Sequence, residues 1–71
     1  MKANLFELAS AYVRIIEHIE RTKDRRELQQ LEEERVDAHN RFADALREAG
    51  IPHKDRDHVT RIAFRIAKEE L

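Results

Sequence analysis

Apolar residues recur every three or four positions along most of the chain, which is the spacing of one face of an α-helix. Three segments show this pattern, at about residues 4 to 21, 25 to 49 and 56 to 69. The alternation typical of strands is absent. The pattern predicts one all-α domain over residues 1–71, with a long antiparallel helical hairpin plus a shorter third helix, as in a three-helix bundle.

The boundary between the first two helices is marked by polar residues and not by glycine or proline. Apolar residues are missing from Thr22 to Glu27, and Asp24 followed by Glu27 fits a capping box. A tight turn is therefore predicted near residues 22 to 24. No glycine marks this turn, so one continuous rod-like helix is the alternative.

The second boundary contains the only glycine and the only proline of the chain. Gly50 is predicted to end helix two as the residue after its C-cap, and Pro52 prevents the helix from continuing. The polar run HKDRDH, residues 53 to 58, follows. Asp55 or Asp57 is expected to cap helix three, so the run is interpreted as the solvated entrance to a helix.

The apolar face of helix one is unusually wide. Its apolar positions cover an arc of roughly 220°, whereas packing against one neighbour needs a stripe of about 100°. Helix three can cover one side, and a second subunit is expected to cover the other. Since a chain of 71 residues has a small core, the bundle is expected to be completed by homodimerisation. A monomeric bundle with helix one at its centre is the alternative.

Helix two carries three polar residues within or beside its core-facing stripe, namely Glu32, Arg35 and His39. Their spacings of three and four allow a row of charge-assisted hydrogen bonds. Three arrangements could account for these polar residues. The long side chains could reach solvent at the edge of the bundle, they could lie at a dimer seam, or they could form a catalytic pocket with His39 as base. Side chains that reach solvent at the edge are the commonest of these arrangements. The lack of a nucleophile or a second acid beside His39 weighs against catalysis, so the dimer seam is the functional prediction. The predicted self-association residues are Tyr12, Ile16, Arg35 and His39.

One side of helix three is basic and the other is apolar. The basic residues recur at spacings of three and four, and we call them the basic stripe: Lys54, His58, Arg61, Arg65 and Lys68. Helix two has an acidic row of Glu33, Asp37, Asp44 and Glu48, which is expected to meet a basic stripe in a neighbouring helix or subunit. The basic stripe is the predicted partner-binding surface.

Overall charge and hydropathy narrow the classes of partner. The 14 basic and 15 acidic side chains nearly cancel, so there is no global field to attract nucleic acid or an anionic membrane. No apolar run can span a bilayer, and charged residues interrupt the first segment where a signal peptide would be apolar. With no cysteine, a disulfide and a thiolate zinc site are excluded. A cytoplasmic protein without membrane contact is expected.

No motif of catalysis or metal binding is complete. His53 and His58 are five residues apart, where ligands on one helix need three or four. The segment EERVD, residues 33 to 37, resembles the paired acidic motif of all-helical nucleotide pyrophosphohydrolases, but the second acidic pair is missing. No catalytic residue, metal ligand or cofactor is therefore predicted.

The sequence thus predicts a non-enzymatic protein that binds another protein through helical surfaces, as a regulator or adaptor. The alternative is a helical nucleic-acid-binding protein that uses the basic stripe. No Asn or Gln for reading bases lies on helix three, and this weighs against the alternative.

Overall fold

The computed structural model describes residues 4–69 and contains three α-helices and no strand in that range. Helix α1 spans Leu5–Arg21, α2 spans Arg25–Glu48 and α3 spans Arg56–Glu69. The predicted all-α fold of a long hairpin and a shorter third helix is confirmed. The predicted boundaries are met to within one residue, since Asn4 caps α1 and Ala49 caps α2 from outside the helices.

A real turn separates α1 from α2, so the rod-like alternative is wrong. Thr22 leaves the helical conformation, and its hydroxyl donates to the carbonyl of His18 at 2.7 Å. Asp24 then caps α2, because its carboxylate accepts from the amides of Arg26 at 2.8 Å and Glu27 at 3.5 Å. These bonds satisfy amides that have no partner inside the helix, which allows a short polar turn without glycine.

Gly50 ends α2 as the residue after its C-cap, as predicted, and the end of the helix is a Schellman motif. Gly50 has a φ of +74°, in the left-handed region that glycine enters at low cost. Its amide donates to the carbonyl of Arg47 at 3.1 Å, and the amide of Ile51 donates to that of Leu46 at 2.9 Å. Both bonds close the last turn and redirect the chain toward α3.

Helix α1 is the centre of the molecule. Both α2 and α3 pack along it, while α2 and α3 contact each other at only a few positions. The wide apolar arc of α1 therefore has two neighbours within a single chain. The buried core that results joins all three helices and consists of Ala9, Tyr12, Val13, Phe42, Leu46, Val59 and Ala63.

Two further features bear on function. None of the described helices is long and apolar enough to cross a membrane. Every residue buried within the described range is hydrophobic, so polar groups lie at the edges of the core. Those edges are where the candidate surfaces are found.

Candidate partner-binding surfaces

The basic stripe of α3 divides into residues that are engaged within the chain and residues that are not. Lys68 extends its Nζ to within 3.2 Å of Oε2 of Glu17 on α1. His58 is half-buried and takes part in the cap of α3. Arg61 and Arg65 are exposed, and neither side chain forms a hydrogen bond or ion pair with another residue in the described range. The centre of the stripe is therefore the part available to a partner.

The cap of α3 accounts for the polar run HKDRDH. The carboxylate of Asp55 accepts from the amide of His58 at 3.0 Å, so Asp55 rather than Asp57 is the cap. In return, Nδ1 of His58 accepts from the amide of Lys54 at 3.1 Å. Because a backbone amide only donates, Nδ1 of His58 must carry no proton in this arrangement. The reciprocal bonds confirm the interpretation of this run as the entrance to a helix.

The four predicted self-association residues lie close together, around a cleft between α2 and α3. Tyr12, Ile16 and Arg35 line this cleft, which has a volume of about 340 Å³. His39 lies beside it, with its ring 5.8 Å from that of Tyr12 in an edge-to-face arrangement. Tyr12 is only 1% exposed, so any role it has in self-association must pass through residues that it supports. Self-association through this cleft stays a prediction.

The rim of the cleft carries charges of both signs, several of which the sequence did not single out. They come from all three helices, and they are Glu20, Glu32, Arg35, Arg56 and Asp57. Helical periodicity places each of them on its own helix but does not show that α3 begins opposite the middle of α2. Such a relation between distant segments arises only in the folded chain.

Arg35 is held at the edge of the core by Glu32. Its Nε donates to Oε1 of Glu32 at 2.8 Å, and its side chain is 16% exposed against 52% for Glu32. The hydrogen bond that Arg35 donates to Glu32 raises the pKa of Arg35, partial burial opposes this, and the Tyr12 hydroxyl adds a smaller rise. The guanidinium therefore stays charged, with its stem packed and its head directed to the rim.

His39 does not join the row of hydrogen bonds that its spacing from Arg35 suggested. Its Nδ1 lies 3.4 Å from Oδ1 of the neighbouring Asn40, which is a weak contact. Its Nε2 is buried and has no hydrogen-bond partner. The predicted row is therefore half present, as a Glu32 to Arg35 pair, and His39 instead packs against Tyr12.

A second surface lies between α1 and α2 and was not identified from the sequence. We call it the α1/α2 groove; its volume is about 240 Å³ and it is lined by Leu8, Ala11, Ile15, Glu34, Asp37, Ala38 and Arg41. A second hollow of about 450 Å³ continues it toward the end of α2, sharing Leu8 and Arg41. Ala11 is exposed, and Leu8 and Ile15 are half-buried. The apolar arc of α1 is thus wider than α2 and α3 together cover.

Two of the four residues in the acidic row of α2 are paired with arginines of the same helix. Asp37 pairs with Arg41 at 3.2 Å, and Asp44 pairs with Arg47 at 3.2 Å. Among the described residues, Asp37 and Asp44 form their ion pairs within α2 and not with the basic stripe. Within the described range, the ion pair between Lys68 and Glu17 joins two different helices, α3 and α1.

The described residues contain no group of three or more His, Asp or Glu side chains placed to hold a metal ion. This includes Glu33, Glu34 and Asp37 of the EERVD segment, where Asp37 is engaged by Arg41.

Comparison with known proteins identified no relative of this chain. No protein-family model, no curated protein and no solved structure matches the chain.

Proposed function

We propose that this chain is a small non-enzymatic regulator or adaptor that binds another protein through the basic stripe of α3. Arg61 and Arg65 carry the proposal, because they are exposed, one helical turn apart and without a partner among the described residues. Like charges at this spacing cost an isolated helix about 0.2 to 0.5 kcal/mol. A carboxylate-bearing partner relieves that repulsion.

The rest of α3 is suited to present these two arginines. Its opposite face contributes Val59 and Ala63 to the core, which fixes the rotation of the helix. The Asp55 cap and the Lys68 to Glu17 pair hold its two ends. A rigid helix with two adjacent guanidinium groups fits an acidic helical face, where each arginine can form paired hydrogen bonds with a carboxylate.

A pair of charge-reversal variants tests this proposal. Arg61→Glu with Arg65→Glu changes the stripe, while Arg25→Glu with Arg26→Glu makes the same charge change on exposed residues of α2. We expect the native chain and the α2 variant to capture a protein that the α3 variant does not capture. If no captured protein distinguishes the two variants, the proposal is wrong.

Nucleic-acid binding through the same arginines is the alternative outcome. A titration with mixed single-stranded and duplex nucleic acid at several salt concentrations separates the two. Phosphate contacts lower the affinity by about one log unit per log unit of salt for each phosphate neutralised. A steep salt dependence that disappears with Arg61→Glu and Arg65→Glu would replace the protein-binding proposal.

We also propose that the chain forms a homodimer through the cleft around Ile16 and Arg35. The rim of this cleft has both signs of charge, so two copies related by a twofold axis can place opposite charges together. Sedimentation equilibrium is expected to give about twice the chain mass of 8.5 kDa. Arg56→Glu is expected to lower this mass, whereas Arg26→Glu is expected to leave it unchanged. A monomer at high concentration would overturn the dimer.

A further inference from the structure

We infer that the α1/α2 groove is a second docking surface, and that its ligand is a basic amphipathic helix of another protein. The groove lies on α1 and α2 and shares no residue with the basic stripe of α3. It goes beyond the function proposed above and can be tested separately.

The floor of the groove is apolar and open to solvent. Leu8 and Ile15 of α1 are half-buried, Ala11 between them is exposed, and Ala38 faces them from α2. From Leu5 to Ile15 the apolar strip is about 15 Å long, at 1.5 Å per residue. A helix laid in such a groove presents apolar side chains at spacings of three, four and seven residues. The small Ala11 and Ala38 leave room for larger side chains on the ligand.

The rim of the groove determines the charge of that ligand. Glu34 and Asp37 line the first hollow, and Asp44 and Glu48 line its continuation, while Arg41 is the basic residue in both. Asp37 and Asp44 are each paired on their own helix, with Arg41 and Arg47, so Glu34 is the carboxylate of the first hollow that is left for a ligand. Glu34 is exposed and has no hydrogen bond or ion pair with a described residue. Lysines or arginines flanking the apolar face of the ligand complement this rim.

The same rim argues against a second copy of this chain as the occupant. Two copies joined groove to groove would bring one acidic rim against the other, which repels. Helix α3 is basic, but its apolar face is already buried against α1 in each chain. A separate basic amphipathic helix satisfies both the floor and the rim.

A defined peptide pair provides the probe. One peptide of about 15 residues, or four turns, carries leucines along one face and lysines beside them, with a side-chain lactam to hold the helix. The second has the same leucines and lactam but glutamates in place of the lysines. Fluorescence anisotropy with the full chain is expected to show binding of the lysine peptide at least about tenfold tighter than that of the glutamate peptide. Equal affinity, or no binding of either, overturns the inference.

Two matched substitutions locate the binding site. Glu34→Lys is expected to lower the affinity for the lysine peptide about fivefold or more. Glu33→Lys, one residue away and outside the groove, is expected to change this affinity less than about twofold. Ala11→Glu blocks the floor and is expected to weaken binding more than about tenfold. Val36→Glu introduces an acid at another exposed apolar position, since Val36 is 50% exposed, and is expected to have little effect. Equal effects within either pair place the peptide elsewhere and overturn the inference.

Far-ultraviolet circular dichroism confirms that each variant is folded, and sedimentation equilibrium tests self-association through the groove. If Ala11→Glu lowers the molar mass of the native assembly while Val36→Glu does not, the groove is occupied by a second copy. That result would also overturn the inference.

Discussion

The hydroxyl of Tyr12 on α1 lies 3.0 Å from Oγ1 of Thr60 on α3, 48 residues away in the chain. Thr60 also donates its own hydroxyl proton to the carbonyl of Arg56 at 2.9 Å. Since that proton is already used, Tyr12 must be the donor and Thr60 the acceptor in the contact between the helices. Together with the buried Val59 and Ala63, this bond attaches α3 to α1 and sets the direction in which the basic stripe points.

Removing the Tyr12 hydroxyl should therefore weaken the attachment of α3. We expect Tyr12→Phe to lower the free energy of unfolding by about 0.5 to 1.5 kcal/mol, the usual net contribution of one hydrogen bond. Thr60→Val should have a comparable effect. Urea unfolding of both single variants and the double variant measures the coupling between them. Strictly additive losses would show that the two hydroxyls do not interact in solution.

The cap of α3 provides a second prediction. Asp55→Ala is expected to destabilise the protein by about 1 kcal/mol, because the amide of His58 loses its acceptor at a helix start. Asp57→Ala is the matched control: it removes the same charge two residues later, where the structure shows no capping bond, and should cost only a few tenths of a kcal/mol. Thermal or urea unfolding gives both values. A larger loss for Asp57 would mean that α3 begins later than Arg56.

Gly50 tests the importance of backbone conformation independently of side-chain packing. A Cβ at this position would have no heavy atom within 4 Å, so a substitution meets no steric barrier from neighbours. Gly50→Ala is nevertheless expected to cost about 1 to 2 kcal/mol, because L-residues disfavour positive φ. Gly50→Asn should cost less, since asparagine tolerates this conformation better. Equal stability of the glycine and alanine proteins would indicate a different end to α2.

Because Nε2 of His39 is buried without a hydrogen-bond partner, we expect that replacing this residue does not destabilise the protein. His39→Phe keeps an aromatic ring against Tyr12 and removes the buried Nε2, so the free energy of unfolding should be unchanged or rise by about 1 kcal/mol. His18→Phe is the control at an exposed position of α1, and its free energy of unfolding should lie within about 0.5 kcal/mol of that of the native chain. A loss above about 1 kcal/mol for His39→Phe would show that Nε2 has a partner, such as a bound water.

The helices and their ends could be predicted from sequence because they depend on local interactions. Asp24 caps α2 through amides two and three residues away, and Gly50 ends it through its own φ. The sequence does not distinguish between Asp55 and Asp57 as the cap, because each precedes a plausible first turn. The structure resolves it through a single bond, from the amide of His58 to Asp55.

Relations between helices could not be predicted in the same way. Lys68 belongs to the basic stripe by its spacing, yet it pairs with Glu17 because α3 lies against α1. A spacing of four predicts that His39 joins Arg35, but the His39 ring packs against Tyr12 on the neighbouring helix. The α1/α2 groove was missed for the same reason. A helical wheel shows how wide the apolar arc of α1 is, but it does not show where its two neighbours stop.

The central position of α1 also has a consequence for synthesis on the ribosome. The α1–α2 hairpin is complete once Gly50 has emerged, but the side of α1 that α3 covers stays open until about 20 more residues follow. At about 5 to 20 residues per second, this interval is on the order of 1 to 4 s. For that time this side of the α1–α2 hairpin stays uncovered, and α3 covers it once its residues have emerged.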